Sequence, residues 1–268
     1  MKSVVALTIA GSDSGGGAGI QADLKTFAFH RVHGASVITC ITAQNTATVT
    51  AVMAVSPDMV KAQFDTVTAD MEVRALKTGM LLNQGIIETV AQCLQGWHNN
   101  NIVVDPVMVS RGGDQLIDDE AVASLRNLLI PQGLLVTPNI FEAQLLSGVT
   151  INGIDDMKRS AEIIYNLGVK NVLVKGGGLS GTLKGADVFF DGDRFTLLQR
   201  PPVVTKNTHG TGCTLGAAIT AHLALGYDLI NAIAYAKDYV TMALEYALDV
   251  GEGAGPVGHF CSILPYVS

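Results

Sequence analysis

Short apolar runs alternate along the chain with longer segments in which apolar residues recur every three or four positions. The short runs are rich in β-branched residues and predict buried strands, whereas the longer segments predict amphipathic helices. Predicted strands cover residues 3–10, 35–41, 76–78, 102–105, 134–137, 171–175, 186–190 and 194–198. Predicted helices cover residues 20–34, 57–72, 83–98, 118–129, 141–146, 155–167, 211–225 and 228–248.

Strands and helices follow one another at intervals of about 30 residues, which is the length of a right-handed βαβ unit. The chain shows no linker, break in composition or internal repeat. We therefore expect residues 1–268 to form a single three-layer α/β/α domain around a mostly parallel sheet. The pair Asp191–Gly192 between the last two predicted strands indicates a hairpin.

Polar and glycine-rich residues follow the carboxyl ends of the predicted strands. In open sheets of this kind ligands bind beyond those ends, so the clustering favours a binding site over loops placed at random. The residues concerned are 11–19, Gln44, Met80, 105–107, Asn139 and 175–178.

The composition excludes several classes of protein. Hydrophobic residues make up 48% of the 268 residues and charged residues 15%, which excludes disorder. A net charge of −7 and 6% aromatic residues argue against a nucleic-acid surface. The longest apolar runs fall short of the roughly 18 residues that span a bilayer, and the N-terminus lacks the pattern of a signal peptide. We expect a cytoplasmic protein without membrane contact.

Residues 202–215, PVVTKNTHGTGCTL, place Gly210, Thr211, Gly212 and Cys213 just before a small-residue helix. The backbone N–H groups of such a turn point together at an anion, and the helix dipole reinforces them. A thiol among those N–H groups is expected to ionise more easily than a free one. The stretch therefore predicts an anion cradle with a base beside it. The alternative is a glycine-rich turn in which Cys213 serves only for packing.

The first glycine loop matches the dinucleotide fingerprint formally at Gly17, Gly19 and Ala22. The acid expected at the end of the next strand is missing, since no Asp or Glu occurs between Asp23 and Asp58. The loop instead predicts close backbone approach to a small ligand. Asp23 then either holds an amino or ring N–H group or merely favours the helix start.

Other polar residues at the strand ends suit a heteroaromatic ligand, a cation and a phosphate. Gln44 offers one donor and one acceptor group to a heteroaromatic edge, or else is a surface glutamine. Asp105 and Glu142 are hard oxygen ligands that suit Mg²⁺ held through water, together with Asn139, which is also a candidate helix N-cap. Lys175 is placed to contact a phosphate. Glycines 112–113 and 176–178 offer freedom for loops that close over the site.

The chain resembles the hydroxymethylpyrimidine/phosphomethylpyrimidine kinases, the thiamine-pathway branch of the ribokinase-like superfamily. The resemblance covers residues 7–260 and is carried by AGSDSGGGAGIQADLKTF, ITAQNT, KTGML, VVDPVM, TPNIFEA, VLVKGG and TKNTHGTGCT. It departs at the terminal GPVGHF, where Gly258 replaces a histidine of the family. It implies a ribokinase-like fold, ATP and Mg²⁺. It also implies two successive transfers of the γ-phosphoryl group, to 4-amino-5-hydroxymethyl-2-methylpyrimidine and then to its monophosphate.

The resemblance also implies a role for each matching residue. By this resemblance the substrate would be bound by Gln44, Asp23, Gly11, Met80 and Val107. The anion hole would be formed by Gly210, Thr211, Gly212 and Cys213. Magnesium and its waters would be held by Asp105, Asn139 and Glu142. Phosphates would be contacted by Lys175 and Lys237. The superfamily carries an aspartate where Cys213 stands, so the cysteine marks this branch. We expect a homodimer.

Four other functions are alternatives to this kinase activity. A vitamin B6 kinase acts on a similar hydroxymethyl heteroaromatic, as a main or side activity, whereas a sugar kinase would carry the aspartate base. A non-catalytic ligand-binding protein would keep the pocket, but Asp105, Glu142, Lys175 and Cys213 are all present and argue against it. A dehydrogenase would need the missing acid.

Overall fold

A nine-stranded sheet forms the centre of the described chain. The computed structural model describes residues 3–97, 99–109, 115–179 and 181–261. The predicted loop at residues 111–113 lies outside them. The strands are β1 (Val5–Asp13), β2 (His33–Gln44), β3 (Val49–Ala54), β4 (Val73–Thr78), β5 (Ile102–Val104), β6 (Leu135–Val136), β7 (Val172–Val174), β8 (Asp187–Phe190) and β9 (Phe195–Leu198).

The strands lie in the order β3-β2-β1-β4-β5-β6-β7-β8-β9. All neighbours from β2 to β7 pair in parallel. At one edge β3 pairs antiparallel with β2, and at the other edge β8 and β9 form an antiparallel hairpin beside β7. The predicted mostly parallel sheet and the hairpin at Asp191–Gly192 are confirmed.

Helices of the described residues cover both faces of the sheet. They are α1 (Gly19–Phe29), α2 (Pro57–Asp70), α3 (Gln84–Gln95), α4 (Asp119–Ser124), α5 (Ile140–Ser147), α6 (Ile154–Tyr165), α7 (Thr211–Ala224) and α8 (Leu229–Glu245). The predicted caps of α2 and α3 are confirmed, since Ser56 accepts from the Met59 amide and Asn83 from the Ile86 amide. The single helix predicted at 118–129 is instead α4 followed by a π-helical turn, Leu125–Leu129.

Two apolar cores separate the three layers. One core lies between the sheet and α2–α6, and the other between the sheet and α1, α7 and α8. Strand β1 contributes to both, because Leu7 and Ile9 face the first core and Ala6 faces the second. None of the described helices is long and apolar enough to span a membrane.

Helix α7 is buried on every side from Thr214 to Ala224. Its small residues let it lie close to the sheet: a Cβ at Gly216 would stand 3.3 Å from Cε of Lys77 and 3.8 Å from Cβ of Asp105. A helix enclosed in this way has a fixed axis. Its N-terminal turn is therefore held at the carboxyl edge of β4 and β5.

Strand β3 is the main element that the apolar pattern did not predict. All six of its residues are exposed, so the strand has no buried face and lacks the alternation by which strands are recognised. It forms because it continues the end of β2 through backbone pairing, with Thr42 opposite Val52.

Candidate active site at the carboxyl edge of the sheet

The site lies where the chain changes direction across the sheet. From β1 the chain leads through α1 to β2 on one side, whereas β4 occupies the other side of β1. The helices that follow β1 and β4, α1 and α3, cover opposite faces. A crevice opens at such a switch point beyond the carboxyl ends of the strands. The first glycine loop follows β1 and Met80 follows β4 at this edge of the sheet.

Asp13 organises the first glycine loop. Its carboxylate accepts hydrogen bonds from the amides of Gly15 at 2.8 Å, Gly17 at 3.1 Å and Ala18 at 2.8 Å. Burial alone raises the pKa of Asp13, but the bonds from His209 and Ala18 outweigh it and hold the pKa below its usual value. These three loop amides are therefore turned onto the chain's own carboxylate, which leaves them unavailable to a ligand.

Gly11 and Met80 line one corner of the crevice. A Cβ at Gly11 would stand 2.6 Å from Sγ of Cys40 and 3.0 Å from Cε of Met80, so a glycine is needed for this close approach. Gln44 ends β2 and is partly exposed. Val107 is also partly exposed and follows β5 at the same edge of the sheet. The structure thus brings the expected lining residues to one edge.

The anion cradle begins at Gly210, which has a φ of 82° and directly precedes α7. A Cβ at this position would overlap the carbonyl oxygen of Gly17, so the cradle packs directly on the first loop. Among the described residues, the amides of Gly212 and Cys213 have no hydrogen-bond acceptor, as is usual for a first helical turn. These amides and the helix dipole are available to an anion.

The Cys213 thiol lies between the two loops, and the amide of Gly19 acts to lower its pKa. Burial raises the pKa of this thiol to about 12, although the Lys77 ammonium acts in the opposite direction. The expectation that Cys213 ionises more easily than a free cysteine is therefore wrong for the free chain. Removal from water outweighs the nearby N–H groups, and the group is a thiol at neutral pH.

Asp23 does not face the crevice, which corrects the expectation that it binds substrate. Its side chain has no exposed surface and forms an ion pair with Lys77 at 2.9 Å. The Thr8 hydroxyl also donates to it, at 2.6 Å. Burial raises the pKa of Asp23. Burial lowers the pKa of Lys77, but Asp23, Cys213 and Asp105 together outweigh burial and raise it. The pair lies beneath α7, and its role is structural and electrostatic.

Lys175 lies beside the anion cradle. Its ammonium is 2.9 Å from Oδ1 of Asp105 and would be 3.3 Å from a Cβ at Gly212. Burial lowers its pKa, but Asp105 and Glu142 outweigh burial and raise it, so Lys175 is a cation at neutral pH. The structure therefore brings a fixed positive charge next to the free amides of α7.

Asn139 and Glu142 form a capping box at the start of α5. The Asn139 side chain accepts from the Glu142 amide at 2.9 Å, and the Glu142 carboxylate accepts from the Asn139 amide at 2.7 Å. The cap interpretation of Asn139 is confirmed. Burial raises the pKa of Glu142, and Asp105 adds to this while Lys175 opposes it.

Asp105 and Glu142 carry negative charge that suits a bound cation. Asp105 and Glu142 are both buried, with 2% of each residue exposed, and they share the single ammonium of Lys175. No group of three or more His, Cys, Asp or Glu side chains suited to a metal occurs among the described residues. Two carboxylates suffice for Mg²⁺ when water and substrate phosphates complete its shell.

Lys237 is also placed differently from the expectation. Its ammonium donates to the Gly185 carbonyl at 2.7 Å and to Asp187 at 2.6 Å. Asp187 in turn accepts from the Gly176 amide at 2.9 Å. Lys237 therefore supports the glycine turn that follows Lys175, and its charge is already matched by a carboxylate rather than open to a phosphate.

Two histidines beside the cradle have roles that the sequence did not reveal. His209 contacts Asp13 through Nε2 at 2.8 Å. His259 contacts the Thr214 hydroxyl through Nε2 at 3.0 Å, and the Tyr239 hydroxyl donates to its carbonyl. Burial lowers the pKa of His259 to about 4. The one signal of these roles in the sequence is that His209 directly precedes Gly210.

A family model and a curated relative match most of this chain. The family model described as phosphomethylpyrimidine kinase matches residues 13–258. A hydroxymethylpyrimidine/phosphomethylpyrimidine kinase of Synechococcus elongatus is 53% identical over 256 residues, which are 96% of this chain and 97% of that protein.

Two solved structures are similar over most of their length. An ADP complex of Bacillus subtilis pyridoxal kinase superposes with a TM-score of 0.92 and 40% identity, covering 98% of this chain and 100% of that one. A phosphomethylpyrimidine kinase of Clostridium difficile gives a TM-score of 0.81 and 44% identity, covering 90% and 99%.

Proposed function

The chain belongs to the phosphomethylpyrimidine kinase family, and on that premise we propose that it phosphorylates 4-amino-5-hydroxymethyl-2-methylpyrimidine with ATP. A second transfer then converts the resulting monophosphate into the diphosphate, in thiamine biosynthesis. The carrying observation is the packing of the cradle on the first glycine loop, where a Cβ at Gly210 would overlap the carbonyl oxygen of Gly17. It joins the acceptor crevice to the anion cradle, so an alcohol in one lies beside a phosphoryl group in the other.

The acceptor ring is bound in the crevice by Gln44 and packed by Gly11, Met80 and Val107. The donor and acceptor groups of the Gln44 amide match an amino group beside a ring nitrogen. Met80 packs close to Gly11, so the two residues can form one apolar wall of a slot in this crevice. Binding in this slot fixes the hydroxymethyl group relative to Cys213, which is how proximity lowers the barrier to transfer.

The migrating phosphoryl group is stabilised by the cradle. The amides of Gly212 and Cys213, the dipole of α7 and the ammonium of Lys175 all present positive charge to it. Phosphoryl transfer depends mainly on such positioning and neutralisation of charge. Thr211 stabilises this turn, since its hydroxyl donates to the Thr208 carbonyl at 2.7 Å.

Asp105 and Glu142 are the residues that would hold Mg²⁺, with Asn139 close to them. The bound ion would neutralise charge on the phosphates of ATP. The surplus of two buried carboxylates over one ammonium supports this assignment. A magnesium titration of ATP consumption tests it: Asp105→Asn and Glu142→Gln raise the magnesium concentration that gives half-maximal rate.

The two transfers differ in their need for a base. In the first, the alcohol oxygen bonds to phosphorus as the bond to ADP breaks, and the alcohol proton passes to the thiolate form of Cys213. In the second, the attacking oxygen belongs to an ionised phosphate and carries no proton. Cys213 is therefore needed as a base only for the first transfer.

An ATP-consumption assay over a panel of hydroxymethyl heteroaromatics tests the main proposal, with mass spectrometry of the products. We expect ATP to be consumed only with an acceptor, and the pyrimidine to yield first a monophosphate and then a diphosphate. Binding of the pyrimidine without ATP consumption would indicate a ligand-binding protein and overturn the proposal.

Pyridoxal is a second candidate acceptor, because the chain superposes closely on a pyridoxal kinase. The kcat/KM values for pyridoxal and the pyrimidine, measured with the same preparation, decide between a main and a side activity. We expect the pyrimidine to have the higher value, since pyridoxal has no amino group beside a ring nitrogen to match Gln44.

We further propose that residues 1–268 act as one catalytic domain, that the chain forms a homodimer, and that it is cytoplasmic. The continuous sheet supports the first proposal. The exposed apolar side chains of Val49, Val52 and Met53 on edge strand β3 support the second, since such an edge invites pairing with another copy. Light scattering of the wild type and of Met53→Glu tests the dimer, which the charge should weaken.

A further inference from the structure

His209 links the phosphoryl cradle to the acceptor crevice. Nε2 of its ring is 2.8 Å from Oδ2 of Asp13 and 3.4 Å from the amide nitrogen of Gln44. The residue directly precedes Gly210, and its own backbone is held by the Gly255 carbonyl and the Val257 amide.

The ring of His209 has little freedom to move. A Cβ at Gly17 would overlap its Cδ2 atom, so the ring packs directly against the first loop. Only 18% of the His209 side chain and 4% of the Asp13 side chain are exposed. Packing and the carboxylate therefore hold Nε2 at a fixed position beside Gln44.

The polarity of these contacts determines how the Gln44 amide is oriented. Asp13 already accepts three backbone N–H groups, and an ionised carboxylate only accepts. Nε2 of His209 therefore carries a hydrogen and donates to Asp13. A nitrogen that donates in this way cannot also accept from the Gln44 amide, so the amide oxygen of Gln44 is the better neighbour for it.

The other side of the amide leads to the same orientation. The Thr42 hydroxyl donates to the Ser12 carbonyl at 2.9 Å and lies 3.4 Å from the far end of the Gln44 amide. Its hydrogen is already used, so it is free only to accept. The two neighbours are both satisfied when the Gln44 oxygen faces His209 and the Gln44 nitrogen faces Thr42.

We propose that His209, held by Asp13, is a positioning residue that fixes the Gln44 amide with its oxygen towards the cradle. This inference rests on the proposed function, in which Gln44 binds the acceptor ring. In this orientation the Gln44 oxygen keeps one lone pair that is not used by His209, and the Gln44 nitrogen keeps one hydrogen that is not used by Thr42. The acceptor and the donor that remain therefore have fixed positions. This arrangement matches an amino group beside a ring nitrogen, so His209 contributes to the choice of the pyrimidine over acceptors without this edge.

The test compares two substitutions at the same position. His209→Phe keeps a flat ring against Gly17 but removes the N–H group, whereas His209→Gln keeps an N–H group at a similar reach. We expect His209→Phe to raise the KM for the pyrimidine about tenfold, as for one lost oriented hydrogen bond. The kcat and the KM for ATP should change less than about twofold, and His209→Gln should recover most of the loss.

Two comparisons make this result specific. The kcat/KM for pyridoxal should hardly change, so the preference for the pyrimidine falls about tenfold. His33→Phe, at an exposed histidine at the start of β2, is the matched control and should leave all constants unchanged. If His209→Phe unfolds on thermal melting, Thr42→Val removes the other neighbour of the amide and should give the same selective loss.

A double-mutant cycle decides whether His209 acts through Gln44. In a Gln44→Ala background, adding His209→Phe should raise the KM for the pyrimidine no further. An equal rise in both backgrounds, equal losses with both acceptors, or a change confined to the KM for ATP would overturn the inference alone. A wild-type chain that leaves the pyrimidine unphosphorylated would overturn the proposed function and this inference together.

Discussion

The ionisation of Cys213 gives the most direct test of the proposed mechanism. Its pKa of about 12 lies some five units above neutral pH. About one chain in 10⁵ therefore carries the thiolate at pH 7, and this fraction rises about tenfold with each pH unit. If the thiolate accepts the alcohol proton, the rate of the first transfer rises with the same slope, while the second transfer does not.

The assay is rapid-quench measurement of each transfer separately, starting from the pyrimidine or from its monophosphate, between about pH 7.5 and 9.5. Cys213→Ala should slow the first transfer by about 10²–10⁴-fold, the usual contribution of a general base, and largely spare the second. Cys213→Asp replaces the thiol by a carboxyl that titrates far lower, so the pH profile of the first transfer should flatten.

Three results would refute this reasoning. A flat profile for the first transfer in the wild type, under conditions where chemistry limits the rate, would show that no group of high pKa is titrated. Equal losses in both transfers for Cys213→Ala would assign Cys213 to the cradle or to the fold. A slope shared by both transfers would place the titration on ATP or its metal ion.

Three other changes test separate parts of the structure. Lys77→Met leaves the buried Asp23 carboxylate without its cation, so the free energy of unfolding should fall by about 3–5 kcal/mol; adding Asp23→Leu should recover part of this loss, and additive losses would contradict the pairing. The folded-state pKa of His259, about 4, lies below the unfolded value, so stability should fall as the pH drops from about 6.5 towards 4. Urea unfolding at several pH values should show that the free energy of unfolding depends less steeply on pH in His259→Gln than in the wild type. An unchanged pH dependence would argue against this role of His259. Gly210→Ala forces a Cβ into a backbone carbonyl and should slow both transfers about 100-fold. The control Gly226→Ala also has a positive φ but open space around it, and should cost about 1–2 kcal/mol of stability while keeping the activity.

The sequence predicted the parts of the fold that depend on local pattern. Helix α7 was predicted at residues 211–225 and is found at Thr211–Ala224, because a glycine turn and a run of small residues specify its start and its burial. The hairpin at Asp191–Gly192 follows from turn chemistry in the same way. Strand β3 was missed because backbone pairing alone forms it, without an apolar face.

The errors at the site come from contacts between distant residues. Asp23 looked available to a ligand, but Lys77, 54 positions away, neutralises it beneath α7. Lys237 looked available to a phosphate, but Asp187, 50 positions away, is its partner. Both pairs could be predicted only if the sheet order was already known, since the two partners of each pair lie on different elements.

The amino-acid sequence by itself determined the alternating elements, the glycine turn before α7 and the family, because turns, helix starts and motifs are set by neighbouring residues. The tertiary structure alone decided which charges are matched and which groups ionise. Asp13 and His209 are 196 positions apart and meet only across the folded crevice. The pKa of Cys213 likewise depends on how much water the packing removes, which no stretch of neighbouring residues specifies.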